Sequence, residues 1–226
     1  MDLDVPAVAD LFGVSKNKVY HWIKQKEIPV VSIQGQHRFN RSDLIEWAIA
    51  KGIKFSPMPE VLPQSSQPPH TCLPSLAAAL EKGGIFYHIK GDYLQSVLQS
   101  VVYLLPLPDD IDREFLLTLL LARESLGSTG VGNGIAIPHP RNPIISNVSS
   151  SPTITLCFLE KPIDFGALDG QPVHALFILI SNTVPIHLHL LSQIASTLNN
   201  PEFKALILSH AKKEDILSTA QQLEGR

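Results

Sequence analysis

The chain has 226 residues, 44% of them hydrophobic and 17% charged, so it can bury a core in one large domain or in two modest ones. Its longest apolar runs, such as HALFILI at 174–180, are far shorter than the roughly 20 residues of a membrane-spanning helix, which argues against membrane insertion. The acidic start MDLD lacks the basic and apolar pattern of a signal peptide, and we therefore expect a cytoplasmic location.

Charge is unevenly divided along the chain, although the net charge is only −3. Residues 1–54 carry 8 Lys and Arg against 6 Asp and Glu, whereas residues 55–226 carry 10 against 15. A mildly basic first part followed by an acidic remainder weakly indicates a nucleic-acid partner for the first part alone.

The first part carries the pattern of two short helices around a tight turn. Apolar residues at helical spacing over 5–12 are followed by Gly13, a typical helix stop. Ser15 is suited to cap a second helix, whose apolar face holds Val19, Trp22 and Ile23. The opposite face of this second helix is left with long polar side chains, namely Lys16, Asn17, Tyr20 and Lys24.

A hairpin and a third helix are predicted next. The stretch VVSIQGQHRF at 30–39 alternates around Gln34 and Gly35, which predicts a β-hairpin. Ser42 is predicted to cap a helix over SDLIEWAIAKG, which Gly52 closes.

These elements, carried by VADLFGVSKNKVYHWIKQKEIPV and HRFNRSDLIEWA, resemble the winged-helix DNA-binding domain of the MerR/excisionase family. The resemblance implies a small helical winged helix-turn-helix domain over 1–54 whose second helix enters the major groove. It implies groove contacts for Lys16, Asn17 and Tyr20, and phosphate contacts for Lys18, His37, Arg38 and Arg41. The alternative is that these charges are merely solvated on a small protein-binding module. DNA-binding members of such families usually pair, so a homodimer is an expectation.

Residues 55–73 are predicted to be a linker, since this stretch is rich in proline and serine and has almost no apolar periodicity. Helices and strands then alternate over 74–226. TITLCFLE and PVHALFILIS are continuous apolar runs rich in branched residues, typical of strands buried on both faces. We therefore predict an α/β domain with a mixed sheet flanked by helices.

One histidine of this second domain is held unusually stiffly. In GNGIAIPHPRNP, glycines allow a tight turn, a short strand follows, and prolines flank His139 on both sides. Arg123 lies sixteen residues upstream at a helix end and supplies a planar fork suited to phosphate. His187 falls on the inward face of the first turn of a later helix, where helix amides favour an anion.

The run RESLGSTGVGNGIAIPHPR, together with PIDFGALDGQPV and HLHLLSQIA, resembles enzyme IIA of the fructose–mannitol class of the bacterial phosphotransferase system, in particular its nitrogen-regulatory members. The resemblance implies a phosphotransferase that carries a phosphoryl group on His139, with Arg123 and His187 beside it. It implies a histidine-containing phosphocarrier protein as donor, a IIB or regulatory protein as a further partner, and no cofactor. Pro140 departs from the small residue expected after the histidine and could alter donor docking or slow transfer.

Other chemistry receives little support from the sequence. No GxxxxGK[ST] loop is present, which argues against direct use of ATP. Neither HxxxH nor HExxH spacing occurs, so no metal site is predicted, and His174 is interpreted as structural. The sequence favours the hypothesis that the protein is a regulator, which couples phosphorylation of His139 to DNA binding in transcriptional control of nitrogen or carbon use. Two alternatives stay open: a DNA-binding regulator that uses the IIA fold only for interaction, and a phosphodonor for sugar uptake.

Overall fold

The computed structural model describes residues 2–33, 36–51, 53, 73–141 and 151–224. The chain forms two compact units, one before residue 73 and one from Leu73 onward. The predicted linker lies outside the described residues apart from Leu73, so the predicted domain limits stay a prediction. Within the described residues no helix is long and apolar enough to span a bilayer.

The first unit contains three helices and a small antiparallel sheet. Its elements are β1 Asp2–Leu3, α1 Val5–Phe12, α2 Lys16–Lys24, β2 Val31–Ile33, β3 Gln36–Asn40 and α3 Arg41–Ala50. The local signals act as expected, because Gly13 ends α1 at a φ of 61° and the Ser15 hydroxyl accepts a hydrogen bond from the Lys18 N–H at 3.3 Å. The predicted hairpin is present as β2 and β3, while its turn at 34–35 lies outside the described residues.

Two local details of this unit differ from expectation. The third helix begins at Arg41, one residue before Ser42, and the side chain of Asn40 accepts a capping hydrogen bond from the Asp43 N–H at 3.4 Å. The chain passes directly from β3 into α3, so the end of the strand decides where the cap falls. The two-residue strand β1, which pairs with Phe39 and Asn40 of β3, is too short to leave a periodic signal.

The core of the first unit is built around three aromatic rings. The rings of Phe12, Trp22 and Trp47 meet edge to face, with centroids 5.0–6.1 Å apart. Fully buried side chains surround these rings. They come from α1, α2, β3 and α3 and include Val8, Val19, Phe39 and Leu44. This packing fixes the angle between α1 and α2, and so leaves the polar face of α2 in solvent.

The second unit is the predicted α/β domain with a mixed sheet. Its five strands lie in the order β4-β7-β8-β6-β5, with β4–β7 and β6–β8 parallel and β7–β8 and β5–β6 antiparallel. Its elements are α4 Leu76–Gly83, β4 Ile85–Ile89, α5 Leu94–Leu104, α6 Arg113–Glu124, β5 Gly130–Gly132, β6 Ile135–Ala136, β7 Thr153–Ile163, β8 Val173–Ile180, α7 Val184–Leu198, α8 Pro201–Leu208 and α9 Lys213–Glu224.

Strands β7 and β8 run through the middle of this unit, and β8 and residues 153–159 of β7 are buried on both faces, as their apolar runs predict. One face packs on α5 and α6 through a cluster that contains Cys157 and Leu176. The other face meets α4 so closely that a Cβ on Gly83 would come within 2.2 Å of the Ile154 carbonyl oxygen. The last helix closes the domain on the first, because a carboxylate oxygen of Glu224 accepts a hydrogen bond from the Ala77 N–H at 2.9 Å.

Candidate functional site

The segment that ends at His139 is anchored at every step by its neighbours. It follows the β5–β6 hairpin, where the Asn133 N–H donates to Asp169 Oδ2 at 2.8 Å and Gly134 takes a φ of 72°. The Ile137 N–H donates to the Thr129 carbonyl at 3.0 Å, and the Leu179 N–H of β8 donates to the Pro138 carbonyl at 3.1 Å. The chain therefore arrives at His139 as a continuation of a strand, with little freedom left.

The His139 ring is fully buried, with 0% of its surface exposed. Its Nδ1 lies 2.7 Å from the carbonyl oxygen of Ile137. A carbonyl oxygen only accepts hydrogen bonds, so Nδ1 must carry the proton and donate it. In the neutral ring this leaves the lone pair on Nε2, which makes Nε2 the nucleophilic atom of this side chain.

The structure brings the second predicted histidine next to the first. His187 lies in the first turn of α7 and is 3% exposed, and its ring centroid is 5.0 Å from that of His139. Its Nδ1 is 3.0 Å from the hydroxyl of Ser181. Burial, and then the charges of His139 and Arg123, lower the pKa of His187 to about 3, so this imidazole is neutral at pH 7.

Arg123 stands in the last turn of α6 and is 7% exposed. One of its terminal nitrogens donates to the Gly127 carbonyl at 2.8 Å, which fixes the guanidinium beside the loop that leads to β5. Its positive charge contributes to lowering the pKa of His187, so the guanidinium belongs to the same buried neighbourhood as the two rings. The three side chains predicted from separate sequence blocks are thus brought together.

Sequence reasoning missed the next residue, Glu124, which is 9% exposed. Its carboxylate accepts hydrogen bonds from the N–H of Thr129, at 3.0 Å, and from the Thr129 hydroxyl. Burial raises its pKa, and the hydrogen bonds from Thr129 and the charges of Arg123 and His139 oppose that rise. Because the Thr129 carbonyl in turn holds Ile137, Glu124 steadies the peptide that orients the His139 ring.

The missed signal was present in the spacing of α6. The buried positions of this helix are 116, 117, 120, 123 and 124, which form a single helical face. Arg123 and Glu124 therefore fall on the apolar side of the helix, and two charged residues on such a face predict a buried polar site. No comparable signal marks Ser181, which only the end of β8 places beside His187.

The structure places the predicted DNA-binding residues on α2, on β3 and at the start of α3. The α2 positions Lys16, Asn17, Lys18 and Tyr20 are exposed, and Tyr20 shows 51% of its surface. The Tyr20 ring lies 6.3 Å from the ring of His37 on β3, so the helix and the hairpin are neighbours. This juxtaposition brings the exposed side chain of Tyr20 next to β3.

Three of the predicted cations are partly buried or contact other side chains. The Lys18 ammonium lies 5.6 Å above the Trp22 ring, and an Arg38 terminal nitrogen donates to Gln36 Oε1 at 2.7 Å. Arg41 is half-buried, and its Nε is buried without a hydrogen-bond partner among the described residues. Lys16 and Asn17 are exposed and are therefore the predicted contacts most available to bind DNA.

Comparison with known proteins relates both units to characterised families. Residues 79–222 match the family described as "Phosphoenolpyruvate-dependent sugar phosphotransferase system, EIIA 2", and residues 3–51 match a helix-turn-helix domain family. The chain belongs to the EIIA 2 family. As an EIIA 2 protein with an N-terminal helix-turn-helix domain, it is the fusion that its sequence predicts, and Arg123, His139 and His187 all lie inside the matched segment.

Individual EIIA 2 relatives agree with this assignment. The chain is 38% identical over 133 residues to a nitrogen regulatory protein of Pseudomonas aeruginosa, covering 57% of this chain and 83% of the relative. It is 33% identical over 134 residues to a nitrogen regulatory protein of Escherichia coli, covering 58% and 78%. The crystal structure of the nitrogen regulatory protein IIA-Ntr of Neisseria meningitidis superposes with a TM-score of 0.56 at 25% identity, covering 64% of this chain and 98% of that one.

Proposed function

We propose that this protein accepts a phosphoryl group on Nε2 of His139 from a phosphohistidine carrier protein and couples that state to DNA binding by its helix-turn-helix domain. The observation that carries the proposal is the hydrogen bond from His139 Nδ1 to the Ile137 carbonyl, which leaves Nε2 with a lone pair beside the neutral His187 ring. The names of the nitrogen regulatory relatives support nitrogen control as the setting.

In the proposed step the Nε2 lone pair attacks the phosphorus of the donor's phosphohistidine. The new N–P bond forms as the donor's N–P bond breaks, and the donor imidazole leaves with the electron pair of the broken bond. Transfer of this kind needs alignment and charge stabilisation more than proton movement. The Arg123 guanidinium supplies positive charge for the phosphoryl oxygens.

His187 has a complementary role in this proposal. When the Ser181 hydroxyl donates to His187 Nδ1, the proton of the neutral ring resides on Nε2. That nitrogen is buried and has no hydrogen-bond partner among the described residues. A phosphoryl oxygen is the acceptor it lacks, so we assign His187 as a hydrogen-bond donor to the transferred group.

The burial of His139 shapes both the proposal and its rival. Reacting atoms must approach to about 3–3.5 Å, so donor docking has to uncover Nε2 before transfer. The same burial favours a second candidate function, a DNA-binding regulator in which the IIA fold acts only as an interaction module. The two candidates differ in whether His139 ever carries phosphate.

Phosphorylation would add about two negative charges to a domain that already has an excess of acidic residues. We infer that this charge alters the contacts of the domain with the DNA-binding unit, a second copy of the chain or a regulatory partner. A change in DNA occupancy on phosphorylation is the expected readout.

The test is to incubate the purified chain with phosphoenolpyruvate, enzyme I and the histidine-containing carrier, and to measure acid-labile phosphate. Wild type and the matched control His189→Ala, which removes a half-buried histidine of α7, should be labelled, whereas His139→Ala should not. A gel-shift with genomic fragments then compares phosphorylated and unphosphorylated protein. Sequence-preferring DNA binding by a chain that never gains phosphate would overturn the phosphocarrier proposal and support the interaction module.

A further inference from the structure

A second pair of histidines lies in the EIIA domain, and the sequence interpretation of His174 as merely structural does not account for it. His174 is the second residue of β8, and His210 lies in the turn after α8, 36 residues further on. Nδ1 of His174 and Nε2 of His210 are 3.0 Å apart, and the ring centroids are 5.1 Å apart at 32°. The first ring is half-buried and the second is exposed, so the pair is reachable from solvent.

The His174 ring is oriented from its far side. The Nε2 side of the ring lies against the β5–β6 turn, since a Cβ on Gly134 would come within 2.7 Å of His174 Nε2, and the ring hydrogen-bonds the backbone of Asn133 there. A ring nitrogen that hydrogen-bonds a backbone carbonyl donates the proton. Since Nδ1 faces His210, the donor is Nε2, and Nδ1 carries the lone pair. Metal-binding histidines are held in this way, with one ring nitrogen donating to a backbone carbonyl and the other left for the ion.

The backbone around this pair is strained. The non-glycine residues of positive φ among the described part of this domain are His88, Asn133 and His210, at 58°, 53° and 52°. Two of the three lie at the pair itself, because His210 contacts His174 and the backbone of Asn133 hydrogen-bonds the His174 ring. Strained conformations persist where the surrounding structure enforces them, and they concentrate at functional sites.

We propose that His174 Nδ1 and His210 Nε2 together bind one Zn²⁺ ion, at a site separate from the His139 site. Tetrahedral Zn²⁺ with Zn–N bonds of about 2.0–2.1 Å needs two ligand nitrogens about 3.3 Å apart, which is a small widening of the present separation. Neutral imidazoles suit this borderline cation. On binding, the ion replaces the proton shared by the pair, and His210 takes the tautomer protonated on Nδ1.

The His210 ring is also held by a ring other than that of His174. The Phe158 ring lies on His210, with centroids 4.6 Å apart, and holds that ring in place.

Coordination by the protein stops at two ligands. No group of three or more His, Cys, Asp or Glu side chains able to hold a metal occurs in the parts of the chain that the structure describes. Water has to complete the tetrahedron, and the ion stays open to exchange.

The test is a calorimetric titration of the untagged full-length chain with ZnCl₂, with MgCl₂ as a parallel titrant. We expect one Zn²⁺ per chain and no response to Mg²⁺. His210→Asn keeps a residue that tolerates positive φ, and it should weaken Zn²⁺ binding at least about ten-fold, as should His174→Gln.

The control variants are His189→Ala and His139→Ala, which should bind Zn²⁺ as wild type does. Circular dichroism checks that each variant is folded. If one of H210N and H174Q fails to fold, the other still tests the proposal. Absence of Zn²⁺ binding by the wild type, or equal affinity in wild type, H210N and H174Q, would overturn the proposal. Neither the Zn²⁺ titration nor circular dichroism depends on phosphorylation of His139, so this test can fail or succeed independently of the proposed function.

Discussion

The exposed surface of the first unit and the histidine site of the second differ in how the chain assembles them. Lys16, Asn17, Lys18 and Tyr20 lie within one helix and face solvent, whereas Arg123, His139 and His187 come from three separate elements and are almost completely buried. Charges in solvent are screened and act weakly one by one. Buried charges act strongly, and each depends on the others being in place.

The largest effect that should separate the two regions comes from Trp22→Ala. The substitution removes one of the three core rings of the first unit and should cost about 3–5 kcal/mol of its stability. Both tryptophans of the chain are in this unit, so the fluorescence of the remaining Trp47 reports its unfolding. DNA binding should be lost while phosphorylation of His139 persists; loss of phosphorylation as well would show that the EIIA domain depends on the first unit.

The next largest effect is expected at the buried site. Arg123→Ala removes the buried positive charge and should slow phosphoryl transfer to His139 by about 10²–10³-fold. Arg123→Lys keeps the charge but loses the planar fork, and its rate of transfer should lie between those of wild type and Arg123→Ala. Single-turnover transfer from the phosphorylated carrier measures these rates. Equal rates in wild type and R123A would remove Arg123 from the transfer site.

A smaller effect concerns pH and follows from the depressed pKa of His187. In the unfolded chain His187 has its ordinary pKa of about 6.5, so it binds a proton below that pH. In the folded chain its pKa is about 3 and the ring stays neutral, so the free energy of unfolding falls as pH falls through this window. Between pH 7.5 and pH 5.5 this histidine alone should cost about 1.4 kcal/mol. Urea unfolding followed by circular dichroism should show that loss reduced in His187→Asn, and an identical pH dependence in both proteins would contradict the buried neutral ring.

The smallest effect is expected on the exposed surface. Lys18→Ala, which removes a predicted phosphate contact, should weaken DNA binding uniformly across sequences and reduce the slope of log affinity against log salt by about 1. Lys51→Ala, which removes an exposed lysine just after α3, is the matched control and should leave the slope unchanged. A larger loss confined to one DNA sequence would instead make Lys18 a base-reading residue.

Much of the fold could be predicted because its signals are local. The Gly13 stop, the Ser15 cap and the alternation of apolar residues depend on neighbours a few positions apart, and the helix over 184–198 and the buried strands β7 and β8 follow from the same kind of pattern. The sequence pattern places the cap of α3 at Ser42 and not at Asn40, since the end of β3, which decides where that helix begins, is set by the pairing of β3 with β1 and β2.

By itself the sequence determined the two-part design and the family resemblance of each part, and it predicted three residues for the histidine site, since each rests on spacing along the chain or on a contiguous motif. Only the tertiary structure decided that His139 is buried with its proton on Nδ1, that Glu124 and Ser181 support the site, and that His174 meets His210. These features arise where separate elements pack against one another, and the low dielectric of the interior, which shifts pKa values and selects tautomers, exists only after that packing has formed.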